Sequence, residues 1–108
     1  MKWKLYKKNQ HKGKKSIHLY DGSITGHGKL YLYVYIKRYI DISMFKYCEV
    51  YYNNKQIKLK FSITSNNNYY SIQQGKQIWI NCMLHIFRNT YLRYNSNTFD
   101  TLVLDILE

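Results

Sequence analysis

From Ile57 to Ile63 the chain alternates without a break, with Ile57, Leu59, Phe61 and Ile63 on one side and Lys58, Lys60 and Ser62 on the other. Successive side chains of an extended strand point to opposite faces, so this segment reads as a half-buried strand with one apolar and one basic face. Whatever surrounds it must supply an apolar interior for the first set and leave the lysines in water. A chain of 108 residues has room for one such interior and no second domain. Its two cysteines make no disulfide framework, so packing must hold the fold.

The other elements are expected around that strand. Leu30, Leu32, Val34 and Ile36 alternate with Tyr31, Tyr33 and Tyr35, which predicts a second strand. From Ile40 to Asn54 the spacing changes: Ile40, Met44, Phe45, Cys48 and Tyr52 share one face at helical period, although Cys48 to Tyr52 also reads as the start of a strand. Asn53-Asn54 supplies a turn, and Ser65 to Gly75 reads as a polar loop with Tyr69-Tyr70 at a strand edge. Gln77 to Phe87 and Thr90 to Tyr94 regain β character, and Asn97 or Thr98 can cap a closing helix whose apolar face is Phe99, Leu102, Val103 and Ile106. The expected class is α+β: an antiparallel or mixed sheet packed with about two helices.

Charge adds a second constraint. Lys and Arg total 17 against 6 Asp and Glu, a formal charge of +11 with a pI near 9.7, and residues 1 to 60 hold 14 of the basic and 3 of the acidic residues. Residues 1 to 15 alone carry Lys2, Lys4, Lys7, Lys8, Lys12, Lys14 and Lys15, interleaved with Trp3, Tyr6 and His11. Such a segment is too charged to bury itself and suits a path along phosphates, so it is expected to be a basic arm before a single domain over 16–108. The longest apolar run, Leu30 to Ile36, is closed by Lys37-Arg38 and is far short of a membrane span. The first residues have neither the apolar centre of a secretory signal nor the Arg, Ser and Ala pattern of a transit peptide, so a protein of this kind working in an organelle is expected to be made there. Pro and Ala are absent while Lys, Asn, Ile and Tyr dominate, a composition typical of AT-rich coding.

Catalytic and metal chemistry find little support. Gly22 and Gly28-Lys29 enclose five residues and Leu30 follows, where a phosphate loop needs four residues and then Ser or Thr. His11, His18, His27 and His85 with Cys48 and Cys82 show no spacing that sets two ligands on one metal. No Gly-x-Ser-x-Gly elbow exists, and a ribonuclease using His11, His27 or His85 would need only residue types that any RNA binder has. No cofactor or metal is expected, and the reading is a non-enzyme. Lysines that neutralise phosphates and aromatic rings that stack on unpaired bases point to nucleic acid.

The order of segments resembles the large-subunit ribosomal protein family called L-sixteen. Gln10-His11-Lys12-Gly13-Lys14, preceded by Lys7-Lys8, is similar to the end of that family's basic arm. Tyr20-Asp21-Gly22 and Gly28-Lys29-Leu30-Tyr31-Leu32 stand where its aromatic-x-Gly step and first strand begin, and Lys55 to Phe61 and Gly75-Lys76 with Trp79 follow in order. The Gly- and Lys-rich loop of the family is reduced here to Gly75-Lys76, its proline-rich turn is absent, and its final strand has no counterpart before Glu108. The resemblance implies a structural protein of a mitochondrial or plastid large ribosomal subunit near the aminoacyl-tRNA site. Its partners would be large-subunit rRNA and neighbouring ribosomal proteins, with tRNA in reach and no membrane. The expected RNA-binding residues are Lys2, Lys4, Lys7, Lys8, His11, Lys12, Lys14, Lys15, Lys29, Lys58, Lys60 and Lys76.

A second resemblance is to AbrB-type swapped-hairpin transcription regulators, on which Gly28 to Phe61 can be laid without gaps, with Tyr33 replacing the usual proline. It implies DNA binding as the alternative, with the C-terminal half a degenerate second copy and the basic arm unexplained.

Overall fold

The computed structural model describes residues 20–65, 68–75 and 77–107. Among them the chain forms eight strands: β1 (Gly22–Ile24), β2 (Leu30–Leu32), β3 (Tyr47–Tyr52), β4 (Gln56–Ser62), β5 (Tyr70–Gln74), β6 (Ile78–Ile80), β7 (Thr90–Asn97) and β8 (Thr101–Leu107). They close into an antiparallel barrel in the order β1-β2-β6-β5-β3-β4-β8-β7, and β7 returns to β1 by pairing Leu92 with Gly22 and Thr90 with Ile24. A barrel of this strand number has an interior just wide enough for side chains to fill.

Alternation along each strand fills it. Leu30 and Leu32 of β2, Ile57, Leu59 and Phe61 of β4, Ile78 and Ile80 of β6, Leu92 of β7 and Leu102 and Leu104 of β8 are all buried. Ile36, Ile40, Ile42 and Phe45, from the connection between β2 and β3, join the same cluster. Each such side chain contributes roughly 1.5–3 kcal/mol of transfer free energy relative to exposure, so the interior is the main stabilising feature. Two glycines permit the closure. A Cβ on Gly22 would stand 2.6 Å from the Tyr31 carbonyl oxygen, and Gly28, at φ 84°, lets the Leu84 N–H donate to its own carbonyl at 2.8 Å.

The α+β expectation is overturned, because the first expected helix is a turn followed by strand β3 and the second is strand β8. Over Ile40 to Asn54, the Ser43 N–H and hydroxyl donate to Asp41 Oδ1 at 3.0 and 2.6 Å, folding the backbone into a turn before β3. A short Asp side chain that captures the backbone two residues on competes with helix formation. Those hydrogen bonds also hold the Asp41 carboxyl below its ordinary range. Ile42, off the supposed helical face, is fully buried, while Met44 on that face is 45% exposed. The closing segment is β8, which turns Leu102 and Leu104 inward and leaves Phe99 74% exposed in the β7–β8 turn. Its partners are β4 and β7 on either side, so its backbone groups are satisfied by ladders that no local pattern reveals.

The strand expected over 57–63 stands as β4, with Ile57, Leu59 and Phe61 inward, Lys58 and Lys60 exposed, and Ile63 just past its end. The strand expected from Leu30 stops at Leu32. A 3-10 turn, Val34–Arg38, follows and buries only Ile36. Of the domain expected over 16–108, the described residues from Tyr20 onward hold the barrel, and the arm expected over 1–15 lies outside the described residues.

Candidate nucleic-acid interface

The outward positions of four adjacent strands carry a row of aromatic rings. Register sets Tyr91 of β7 opposite Ser23 of β1, Ser23 opposite Tyr31 of β2, and Tyr31 opposite Trp79 of β6. Tyr31 stacks on Trp79 with ring centres 4.5 Å apart and planes 19° from parallel, and Tyr33 stands edge-on to Tyr31 at 5.0 Å. At the other end of the row Tyr20 stacks on Tyr91 at 4.3 Å. Burial, with Tyr33 close by, raises the Tyr31 hydroxyl above its ordinary pKa.

Because Ser23 is small, the row has a gap. A cleft of about 260 Å³ opens over it, lined by Ser23, Thr25, Tyr33, Asn89, Thr90 and Tyr91. Its floor is fixed by the ladder, and its end by Asn89, which adopts the left-handed region at φ 62°. Asn is among the few residues that tolerate that conformation. Beneath the same region Asp21 is 4% exposed. Its Oδ2 accepts from the Tyr94 N–H at 2.7 Å just before β1 begins, and Arg38 Nη2 lies 3.8 Å from its Oδ1. The Arg38 guanidinium also covers Tyr39, which stacks on Tyr94 at 3.7 Å.

Of the expected RNA-binding residues, Lys2, Lys4, Lys7, Lys8, His11, Lys12, Lys14, Lys15 and Lys76 lie outside the described residues. Lys29 belongs to the aromatic face, with Nζ 5.1 Å from the Trp79 ring centre. Lys58 and Lys60 are exposed on β4, a separate face of the barrel. There Lys58 lies over Tyr51 at 4.9 Å, and Lys60 pairs in register with Glu49, whose carboxylate tempers that patch. The structure thus separates Lys29 from Lys58 and Lys60. His27 on the β1–β2 loop and His85 at the start of a 3-10 turn are both exposed, and the Leu84 N–H donating to the Gly28 carbonyl joins the two segments.

Cys48 and Cys82 are buried core thiols, and burial pushes Cys48 up to about 12 and Cys82 up to about 11. Such thiols are poor nucleophiles and poor ligands. No group of three His, Cys, Asp or Glu that could hold a metal occurs among the described residues. A wide depression of about 960 Å³ lies at the β3–β4 turn between Asn53–Gln56 and Asp105–Leu107. Its polar groups are largely engaged already: Asn53 Oδ1 accepts from the Lys55 and Gln56 N–H groups, and Asp105 Oδ1 accepts from Gln56 and Asn95. It is a wide turn surface, whereas the smaller cleft over Ser23 has ring walls.

Sequence reasoning missed Tyr20, Ser23, Tyr33, Asn89 and Tyr91 as site residues. The odd-numbered tyrosines beside Leu30 and Leu32 already marked an outward ring face, but the pairing that brings Tyr91 to Ser23 is long-range. Comparison with known proteins gives no match: no family, no curated protein and no solved structure is significantly similar to this chain.

Proposed function

We propose that the protein is a non-catalytic RNA-binding protein of a ribonucleoprotein particle, with the large-subunit rRNA of an organellar ribosome as its partner. The observation that carries this reading is an aromatic face with a cation beside it: Tyr20 stacks on Tyr91, Tyr31 stacks on Trp79 and Lys29 lies over Trp79, in a chain whose sequence holds seven lysines within residues 1 to 15. Phosphate neutralisation supplies affinity, and the barrel supplies a shaped surface for it to act beside. The similarity of Gln10 to Lys14 to the L-sixteen arm supports the ribosomal part. The aminoacyl-tRNA neighbourhood implied by that resemblance came with an α+β body and does not carry over to a barrel.

A swapped-hairpin DNA regulator needs sheet edges completed by a second copy, whereas here every strand has both neighbours within one chain. That closure favours the RNA reading. Sucrose-gradient sedimentation of the native protein from its source, at moderate and high salt, tests it. Co-migration with the large ribosomal subunit that survives high salt is expected. Migration as a small free species that is retained on duplex DNA would refute it.

A further inference from the structure

We propose that the cleft over Ser23, between Tyr33 and Tyr91, seats an unpaired nucleobase of the bound RNA. The inference rests on the RNA-binding reading and adds to it a place where the chain tells single-stranded from paired RNA.

Tyr91 and Tyr31 flank Ser23 on either side in register, which sets their backbones roughly 9–10 Å apart across two strand spacings. The Tyr31 ring is drawn into its stack on Trp79, and Tyr33 becomes the facing wall of the cleft. At about 260 Å³ the space is below the usual range for drug-sized ligands, roughly 300–1,000 Å³, and suits one flat heterocycle. Tyr20 packs on Tyr91 without lining the cleft, so this wall is held in place before anything binds, while Tyr91 remains 47% exposed. A wall already ordered lowers the entropic cost of stacking a base against it.

The end of the cleft is polar. Thr90 Oγ1 already donates to the Phe87 carbonyl at 2.6 Å, and Thr25 Oγ1 accepts from the Lys29 N–H at 3.2 Å. The Asn89 amide has no such partner among the described residues, and an amide offers the donor and acceptor pair that a base edge presents in return. Charge complements a nucleic acid as well. The outward positions of β1, β2 and β6 are Ser23, Tyr31 and Trp79, none of them acidic, and Asp21 is buried against the Tyr94 N–H. Lys29, beside Trp79 on the same face, can meet a flanking phosphate.

The test is fluorescence anisotropy of the full chain with oligoadenylate and with an RNA duplex carrying the same number of phosphates. Tyr91→Ala should weaken oligoadenylate binding about tenfold and leave duplex binding and its salt slope unchanged. Tyr91→Phe, which keeps the ring, should bind like the wild type. Asn89→Gly removes the amide at a backbone conformation that glycine accepts, and should also weaken the single strand selectively, which serves if Tyr91→Ala does not fold. Single-strand binding unchanged in both Tyr91→Ala and Asn89→Gly, or equal loss for strand and duplex, would overturn the base seat while leaving RNA binding in place. Failure of the wild type to bind either RNA would sink both readings. Tyr91-dependent self-association in sedimentation would assign the face to a second copy and overturn the base seat.

Discussion

Leu104 and Val103 discriminate sharply between the barrel and the helix that the closing segment suggests. In the barrel Leu104 is fully buried opposite Ile57 of β4 and Tyr94 of β7, whereas Val103 points outward between Lys58 and Ser96. On an amphipathic helix from Phe99 to Ile106 the two exchange places. Leu104→Ala removes buried methyl groups and leaves a cavity, a change that costs roughly 2–5 kcal/mol. A domain of this size has about 5–15 kcal/mol of total stability, so the loss is a large share of it. At about 4–8 °C per kcal/mol, a 3 kcal/mol loss lowers Tm by roughly 12–24 °C. Val103→Ala, half-buried on the outer face, should cost about 1 kcal/mol or less. Urea unfolding followed by tryptophan fluorescence, paired with thermal melts, measures both. A larger loss for Val103→Ala than for Leu104→Ala would refute β8 and the closed barrel with it.

Two further outcomes are expected. The buried thiols have pKa values raised above the unfolded value of 9.0, so the folded state keeps its protons longer than the unfolded one; their stabilisation is complete below about pH 9 and is lost as pH rises towards 11–12, at up to about 1.4 kcal/mol per pH unit for each thiol. Melts from pH 7 to about 10.5 should therefore fall less steeply for the Cys48→Ala, Cys82→Ala double variant than for the wild type, and equal slopes would contradict the burial. Lys58→Glu with Lys60→Glu should weaken RNA binding and flatten its salt dependence without unfolding the chain, since both side chains are exposed on β4; loss of the folded state by circular dichroism would show them misplaced.

How far the sequence discloses this architecture depends on how long each pattern runs. Ile57 to Phe61 alternates over a whole strand, and no helical template accommodates Lys58 and Lys60 between its apolar residues. In the closing segment Leu102 and Ile106 satisfy both periods, and only the choice between Val103 and Leu104 separates them, too little for a short window to decide. At Ile40 to Phe45 the deciding element is the Asp41–Ser43 turn, which spacing alone hides. The abundance of Tyr and Ile favours strands, a signal that the segment-by-segment reading of spacing did not use. Closure is what the sequence conceals, because β1–β7, β2–β6 and β4–β8 join residues far apart along the chain. The same holds for the cleft. Tyr31 and Tyr33 are legible as an outward face, but nothing local announces that Tyr91 becomes the opposite wall.

The central claim is that phosphate contacts from residues 1 to 15 hold this protein on RNA. The most direct measurement is the affinity of the full chain and of a chain lacking those residues for a large-subunit rRNA fragment, across a range of salt. Seven lysines, each releasing about 0.7–0.9 of a counterion per phosphate neutralised, give a full-chain slope of log K against log salt steeper than about −4. The shortened chain should bind far more weakly with a slope near −1 to −2, from the few cations left on the barrel. Equal affinity and equal slope for the two chains would contradict the account.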